Sequence, residues 1–289
     1  MFQNKYSYFT GLIEDFLQKL PWKANDVLSE SMAYTLMAGG KRVRPVLALA
    51  AAEIVGGAPE VVIPCACGLE MIHTYSLIHD DLPALDNDDY RRGRPTNHKV
   101  FGEATALLAG DGLLTYGFQL LASDVPVPLE RQIKVIRETA EAVGWQGMVR
   151  GQVLDTLGEK GELSVSQITN IHHLKTGALL TASVRLGAIL GGGLEEEIRQ
   201  LSIYAAALGL AFQIKDDILD IEGTEDALGK PVGSDLKLQK STYPSILGMD
   251  GAKIQLKQKI IEAKTALEKF EEKAEFLLCF ADYIETRNH

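Results

Sequence analysis

Apolar residues recur along nearly the whole chain at spacings of three and four, the period of an α-helix. No stretch alternates convincingly as a half-buried strand does. Val27, Leu28, Met32, Tyr34, Leu36 and Met37 form one broad apolar face over Asp26 to Met37, and Gly39-Gly40 marks its stop. Pro45 lies near the start of the next predicted helix, where a missing N–H does no harm, and that helix ends at Gly56-Gly57. The run from Val61 to Asp81 is long and largely apolar; Pro83 prevents its regular continuation. Ser164 and Gln167 have capping-box spacing and open a helix predicted to reach about Leu190, before Gly191-Gly192-Gly193. Glu195 to Ile221 reads as a second long apolar helix, stopped at Gly223, and Ala252 to Ile284 as an amphipathic tail. No Ser/Pro-rich linker divides the chain. The pattern predicts an all-α protein, one domain over residues 1–289, built as a bundle of long helices.

Two of these helices end against the rule. One runs into Ile78-His79-Asp80-Asp81-Leu82-Pro83-Ala84-Leu85-Asp86, the other into Phe212-Gln213-Ile214-Lys215-Asp216-Asp217-Ile218-Leu219-Asp220. Ionised carboxylates are costly to bury unpaired, and a helix C-terminus disfavours each by roughly 0.3–1 kcal/mol. Something positive must offset this. Paired carboxylates suit Mg2+, which takes one or two of them and fills its octahedron with water and phosphate oxygens. Asp216 and Asp220 are four apart and share a helix face. Asp80 and Asp86 are six apart, but the break at Pro83 lets the chain fold Asp86 back toward Asp80.

Composition narrows the classes. An apolar content of 46% is ample for a core, and 29 basic against 39 acidic residues give a net charge of −10. That balance argues against a nucleic-acid partner held through net charge. Cys65, Cys67 and Cys279 lack zinc-site spacing and are expected to be reduced thiols of a cytoplasmic protein. The N-terminus has no secretory pattern, and runs such as Pro45 to Ala52 fall short of the ~20 residues of a membrane span, so stable membrane insertion is not expected.

The acidic segments occur with Gly39-Gly40-Lys41-Arg42-Val43-Arg44-Pro45, Arg91-Arg92-Gly93-Arg94-Pro95-Thr96, His172-His173-Leu174-Lys175-Thr176-Gly177 and Leu228-Gly229-Lys230-Pro231-Val232-Gly233-Ser234-Asp235. In this order and spacing the set resembles the trans-prenyl diphosphate synthases, more narrowly bacterial farnesyl diphosphate synthases and their geranylgeranyl relatives. The distinctive motifs span about Gly39 to Tyr243; Leu85 and Gly112 stand where relatives often have Met and Ala.

The resemblance implies an isoprenoid synthase fold with a central active-site cavity. It implies Asp80, Asp86 and Asp216 as ligands of Mg2+, three ions per site, with Asp81, Asp217 and Asp220 in support. Lys41, Arg44, His73 and Arg92 match the site for the diphosphate of isopentenyl diphosphate; His73 lies two turns before Asp80, on the same face. Arg91, Lys175, Thr176, Gln213, Lys230 and Lys240 match positions that hold the allylic diphosphate or the developing cation, with Lys175, Thr176 and Gln213 nearest the chemistry. The implied reaction is ionisation, condensation and elimination.

For product length, helix geometry and family rule nominate different residues. Ser76, one turn below Asp80, is the more direct wall, whereas the family rule makes the bulky Tyr75 the block. The preferred product is C15, with a C20 geranylgeranyl product as the alternative. A type I terpene cyclase usually replaces the second Asp motif, and a non-catalytic subunit is expected to have lost contacts that are complete here. A homodimer is also implied, with Ala106, Leu107, Leu113 and Leu114, within Ala104 to Leu121, as candidate interface.

Overall fold

In the computed structural model, which describes residues 2–158, 161, 163–223 and 241–288, helices account for nearly all regular structure. In chain order they are α1 (Phe2–Gln18), α2 (Val27–Leu36), α3 (Val43–Ile54), α4 (Pro59–Asp80), α5 (Asn97–Phe101), α6 (Glu103–Leu121), α7 (Leu129–Val143) and α8 (Met148–Gly158). Then come α9 (Val165–His172), α10 (Ala178–Leu190), α11 (Glu195–Glu222), α12 (Tyr243–Ala266) and α13 (Glu275–Thr286). The caps behave as the sequence predicts. Asp26 caps α2 by accepting from Ser29 N–H at 2.8 Å, and Ser164 with Gln167 forms a reciprocal capping box on α9.

The middle of the bundle is α4, which packs on α3 and α6, while α10 bridges α3, α7 and α11, and α11 lies along α12. A helix apolar all round is one the fold must surround. Accordingly Val62, Cys65, Ala66, Cys67, Leu69, Met71, Ile72 and Ile78 of α4 have no exposed surface. By length and composition α4 is apolar enough to cross a membrane, a longer run than the sequence reading allowed, yet 67% of its most apolar stretch is buried inside the bundle. Cys65 and Cys67 are free and buried, and burial pushes the Cys65 thiol up to about 12.

Three differences from the sequence expectation bear on the site. First, the helix predicted from Ser164 to Leu190 is interrupted by a π-helical turn, His173–Gly177, between α9 and α10. The turn is pressed between two neighbours: a Cβ at Gly151 of α8 would lie 2.3 Å from Lys175 N, and one at Gly209 of α11 would lie 3.1 Å from Gly177 Cα. Such widened turns recur at functional sites. Second, the Arg-rich segment forms a two-stranded antiparallel hairpin, β1 (Tyr90–Arg91) and β2 (Arg94–Pro95), with left-handed Arg92 and Gly93 at its tip. Third, Ala106 and Leu113 of α6 belong to the core, whereas Leu107 and Leu108 face outward at 46% and 57% exposure. Of the four residues expected at an interface, Ala106 and Leu113 are therefore core, Leu114 packs against it, and Leu107 alone is exposed, beside Leu108.

Candidate active site

The first acidic motif is divided by the end of α4. Asp80 is the last helical residue, and the turn at Pro83 returns the chain so that Asp86 N–H donates to Asp80 C=O at 2.9 Å. Asp81 points elsewhere. It is buried, and Arg91 Nε donates to both its oxygens (2.8 and 3.0 Å) while Arg91 Nη2 lies 2.6 Å away. This forked pair fastens the hairpin to α4. Asp80 and Asp86 instead line a cavity of about 620 Å3. Burial, with Asp86 and Asp81 nearby, holds the Asp80 carboxyl up to about 6 against the pull of Lys175 and Arg91.

Across the cavity, α11 contributes Phe212, Gln213 and Asp216. Asp216 lies deep among protein atoms, and burial lifts its pKa, yet 41% of its side-chain surface stays open to the cavity. The guanidinium of Arg287, beyond α13, pairs with it, packs on the Phe212 ring at 4.2 Å and donates to Phe212 C=O at 3.2 Å. Asp217 faces away and accepts from Tyr243 N–H at 2.9 Å, tying α11 to the start of α12. Asp220 is buried. The π-helical turn brings Lys175 and Thr176 to the same cavity, with Lys175 Nζ 2.6 Å from Asp155 of α8.

At one end the cavity joins a second of about 350 Å3, sharing Arg44, His73, Arg92, Thr176 and Phe212 with it and adding Lys41. Here the charge is positive. Burial brings the Arg44 guanidinium down to about 10, with Arg92 adding to the effect, and Arg44 Nε is buried without a hydrogen-bond partner. Burial and the neighbouring arginines 44, 92, 91 and 42 push His73 well below the usual imidazole range, so it is neutral. Arg92 is held by Gly39 C=O. Arg42, between Lys41 and Arg44 in sequence, turns inward to Glu14, Glu70 and Leu36 C=O. Its left-handed backbone, φ 48°, sets α3 going and leaves Lys41 and Arg44 on the cavity side.

The recess thus brings a buried guanidinium N–H without a hydrogen-bond partner together with two more cations, a setting whose chemistry suits an anion. Among the described residues, no three acidic, His or Cys side chains converge closely enough to enclose a metal ion by themselves. The acids still fit Mg2+. Each wall offers one or two carboxylate oxygen donors, and that ion takes its remaining ligands from water and phosphate.

Tyr75 and Ser76 both line the cavity, Tyr75 being almost fully buried; Ser76 Oγ donates back to His73 C=O at 2.8 Å. Lys230 and Lys240 lie outside the described residues. The sequence reading missed Met148, Val149, Gln152 and Val153 of α8, which form a third wall, and Asp155, which holds Lys175. The signal available for α8 was weak: a short, glycine-containing run whose helix carries almost no one-sided apolar pattern. Nothing local to Arg287 in the sequence points 71 residues back to Asp216.

Residues 25–280 match the polyprenyl synthetase family. The chain is 51% identical over 264 residues to a farnesyl diphosphate synthase of Geobacillus stearothermophilus, covering 91% of this chain and 89% of that protein. It is 48% identical over 281 residues to a geranylgeranyl diphosphate synthase of Cyanophora paradoxa, covering 96% and 94%. Its fold matches the crystal structure of a geranylgeranyl pyrophosphate synthetase from Pyrococcus horikoshii with a TM-score of 0.90, at 32% identity and 99% coverage of both chains. Likeness of this extent, over a helical bundle whose acidic walls meet a cationic end, makes the chain a member of the polyprenyl synthetase family.

Proposed function

We propose that this chain, acting as one domain over residues 1–289, is a prenyltransferase that condenses isopentenyl diphosphate with dimethylallyl and then geranyl diphosphate. The product is farnesyl diphosphate. One observation carries the reading: a single cavity has carboxylates on two walls, a cationic recess at one end and an aromatic side chain between helices below. The relatives at about half identity include synthases of this kind.

Lys41, Arg44 and Arg92 bind the diphosphate of isopentenyl diphosphate, with neutral His73 beside them as a hydrogen-bonding partner rather than a charge. Asp80 and Asp86 on one wall and Asp216 on the other would hold Mg2+, three ions in all. When bound, Mg2+ supplies the positive charge that steadies the allylic diphosphate as it leaves. Lys175, kept in place by Asp155, adds charge to that leaving group. Arg91 acts mainly through Asp81, positioning the hairpin at the edge of the cavity. Thr176 Oγ1, the Gln213 carboxamide and the carbonyls of the π-helical turn orient the allylic carbon and stabilise its developing charge without a nucleophile that would trap it. Phe212, Met148 and Val153 keep water from that carbon. Tyr75 and Ser76 limit the growing chain.

Incubating the protein with dimethylallyl and isopentenyl diphosphates and Mg2+, and identifying the prenyl alcohols after dephosphorylation, tests the reading. A predominantly C15 product is expected; C20 would select the geranylgeranyl alternative, and no condensation would reject both. The exposed Leu107–Leu108 face supports a homodimer, for which sedimentation should give twice 31.5 kDa. A monomer at every concentration would exclude it.

A further inference from the structure

His79 has no part in the diphosphate or metal chemistry proposed for this protein, yet it lines the cavity next to Tyr75 and is packed against α6. It follows Tyr75 by four residues on α4 and so stands next to it on the same face. The two rings meet edge to face, centroids 5.5 Å apart and planes at 84°. On its other side His79 meets α6. Its Nε2 lies 2.9 Å from Leu107 C=O, an acceptor only, so Nε2 carries the proton. The Asp111 carboxylate is 3.9 Å from the same nitrogen.

Next to it the backbone of α6 comes unusually close. A Cβ at Gly110 would lie 2.1 Å from His79 Nε2 and 2.4 Å from Cδ2, so no other residue fits while the imidazole stays where it is. The ring is therefore held by a carbonyl, by a glycine backbone and by the Tyr75 ring. Tyr75 in turn cannot swing toward α6, because His79 fills that direction and is itself stopped by α6.

We propose that His79 is a positioning residue for product length: it props Tyr75 across the floor of the elongation cavity, and the α4–α6 contact at Gly110 sets how deep that floor lies. This rests on reading the cavity as the elongation site. It departs from a rule of aromatic size alone, because an unchanged Tyr75 would give a longer product once its prop is gone. His79 transfers no proton and touches no diphosphate in this role; its effect passes entirely through Tyr75.

The test is the product profile from dimethylallyl and isopentenyl diphosphates for the parent, Tyr75→Ala, His79→Ala and the double variant, with KM for both substrates. His79→Ala should raise the proportion of C20 and longer products by at least about threefold, the scale of one lost aromatic contact and one lost hydrogen bond. Both KM values should stay within about twofold, since no diphosphate contact is removed. The double variant should give products no longer than Tyr75→Ala alone, because both changes open the same wall. His79→Gln, which keeps a donor for Leu107 C=O but no ring, should give a smaller shift in the same direction, and it serves if the alanine variant does not fold.

A parent-like profile in His79→Ala or, failing that, in His79→Gln, while Tyr75→Ala lengthens the product, would overturn the proposal and leave the cavity reading standing. An unchanged profile in Tyr75→Ala would remove the floor and this inference with it. Absence of any condensation by the parent would instead strike the activity reading itself.

Discussion

The two aspartate-rich ends look alike in sequence and differ in what neutralises them. At the end of α4, Asp81 is clamped by Arg91 and taken out of the cavity, while among the described residues no cation forms an ion pair with Asp80. At the end of α11, Asp216 faces the cavity with Arg287 already against it, and Asp217 is turned to the backbone of Tyr243. One wall thus presents a carboxylate poised by burial near pH 6. The other presents one whose charge is met from the far end of the chain. A shared Asp-Asp-x-x-Asp-like spelling therefore does not mean a shared electrostatic state. Each motif turns one aspartate toward a structural partner and leaves at least one facing the cavity.

The largest effect should come from removing the cavity-facing acids. Asp80→Ala and Asp216→Ala are each expected to lower kcat by at least ~100-fold, the scale of losing one electrostatic stabiliser. A chelator should abolish turnover of the parent, and added Mg2+ should restore it. Steady-state rates with circular dichroism as a folding control check both. Near-parent rates in both variants would dissolve the comparison, since neither wall would then matter to the chemistry.

Arg287→Gln probes the asymmetry directly. The substitution leaves Asp216 without its resident cation, so the metal-free protein should lose about 1 kcal/mol; a larger loss is not expected for a carboxylate this open to solvent. Arriving Mg2+ would no longer compete with a guanidinium. The Mg2+ concentration for half-maximal rate should fall by about fivefold, the equivalent of ~1 kcal/mol. Titrating activity against Mg2+ reads this out, and an increased requirement would mean that Arg287 assists the second wall instead of masking it.

Much of this was legible in the residues. Helical period, caps and glycine stops predicted α2, α3, α4 and α11 to within a few residues, and the start of α9, because an apolar stripe and a capped end are local signals. The acidic ends announced themselves by the cost of placing charge on an apolar helix. What stayed hidden is non-local. The π-helical turn packs closely against Gly151 and Gly209, contributed by other helices, and the pairs Lys175–Asp155 and Asp216–Arg287 join residues 20 and 71 positions apart. The resemblance divides ligands from support within each Asp pair, but the partners were not legible, since which carboxylate meets Arg91 or Tyr243 depends on how the hairpin and α12 dock. The disagreement between Tyr75 and Ser76 has the same origin: ideal helix geometry orients side chains about one axis, but the cavity's other walls come from α8 and α11, and both residues line it.

The smallest effect concerns stability and pH. The Asp80 carboxyl, at about 6 in the folded protein, would titrate near 3.9 in the unfolded chain. The folded state therefore binds this proton more tightly, and ionising Asp80 costs stability. The cost is full above about pH 6, shrinks as pH falls through that value and is gone below about pH 4. Asn has nothing to ionise, so Asp80→Asn should be more stable than the parent at pH 8 in metal-free buffer. After allowance for solvent in the cavity the gain is about 1–2 kcal/mol. Chemical denaturation of both proteins from pH 4 to pH 8 should show the gap opening as pH rises. Asp216→Asn should gain less over the same range, because it also removes the carboxylate's ion pair with Arg287. Mg2+ with inorganic diphosphate should reverse the order for Asp80, stabilising the parent more than the variant by mass action. Equal gaps for the two variants at every pH would mean that the walls are electrostatically alike after all, and Arg287 would then lose its standing as the feature that tells them apart.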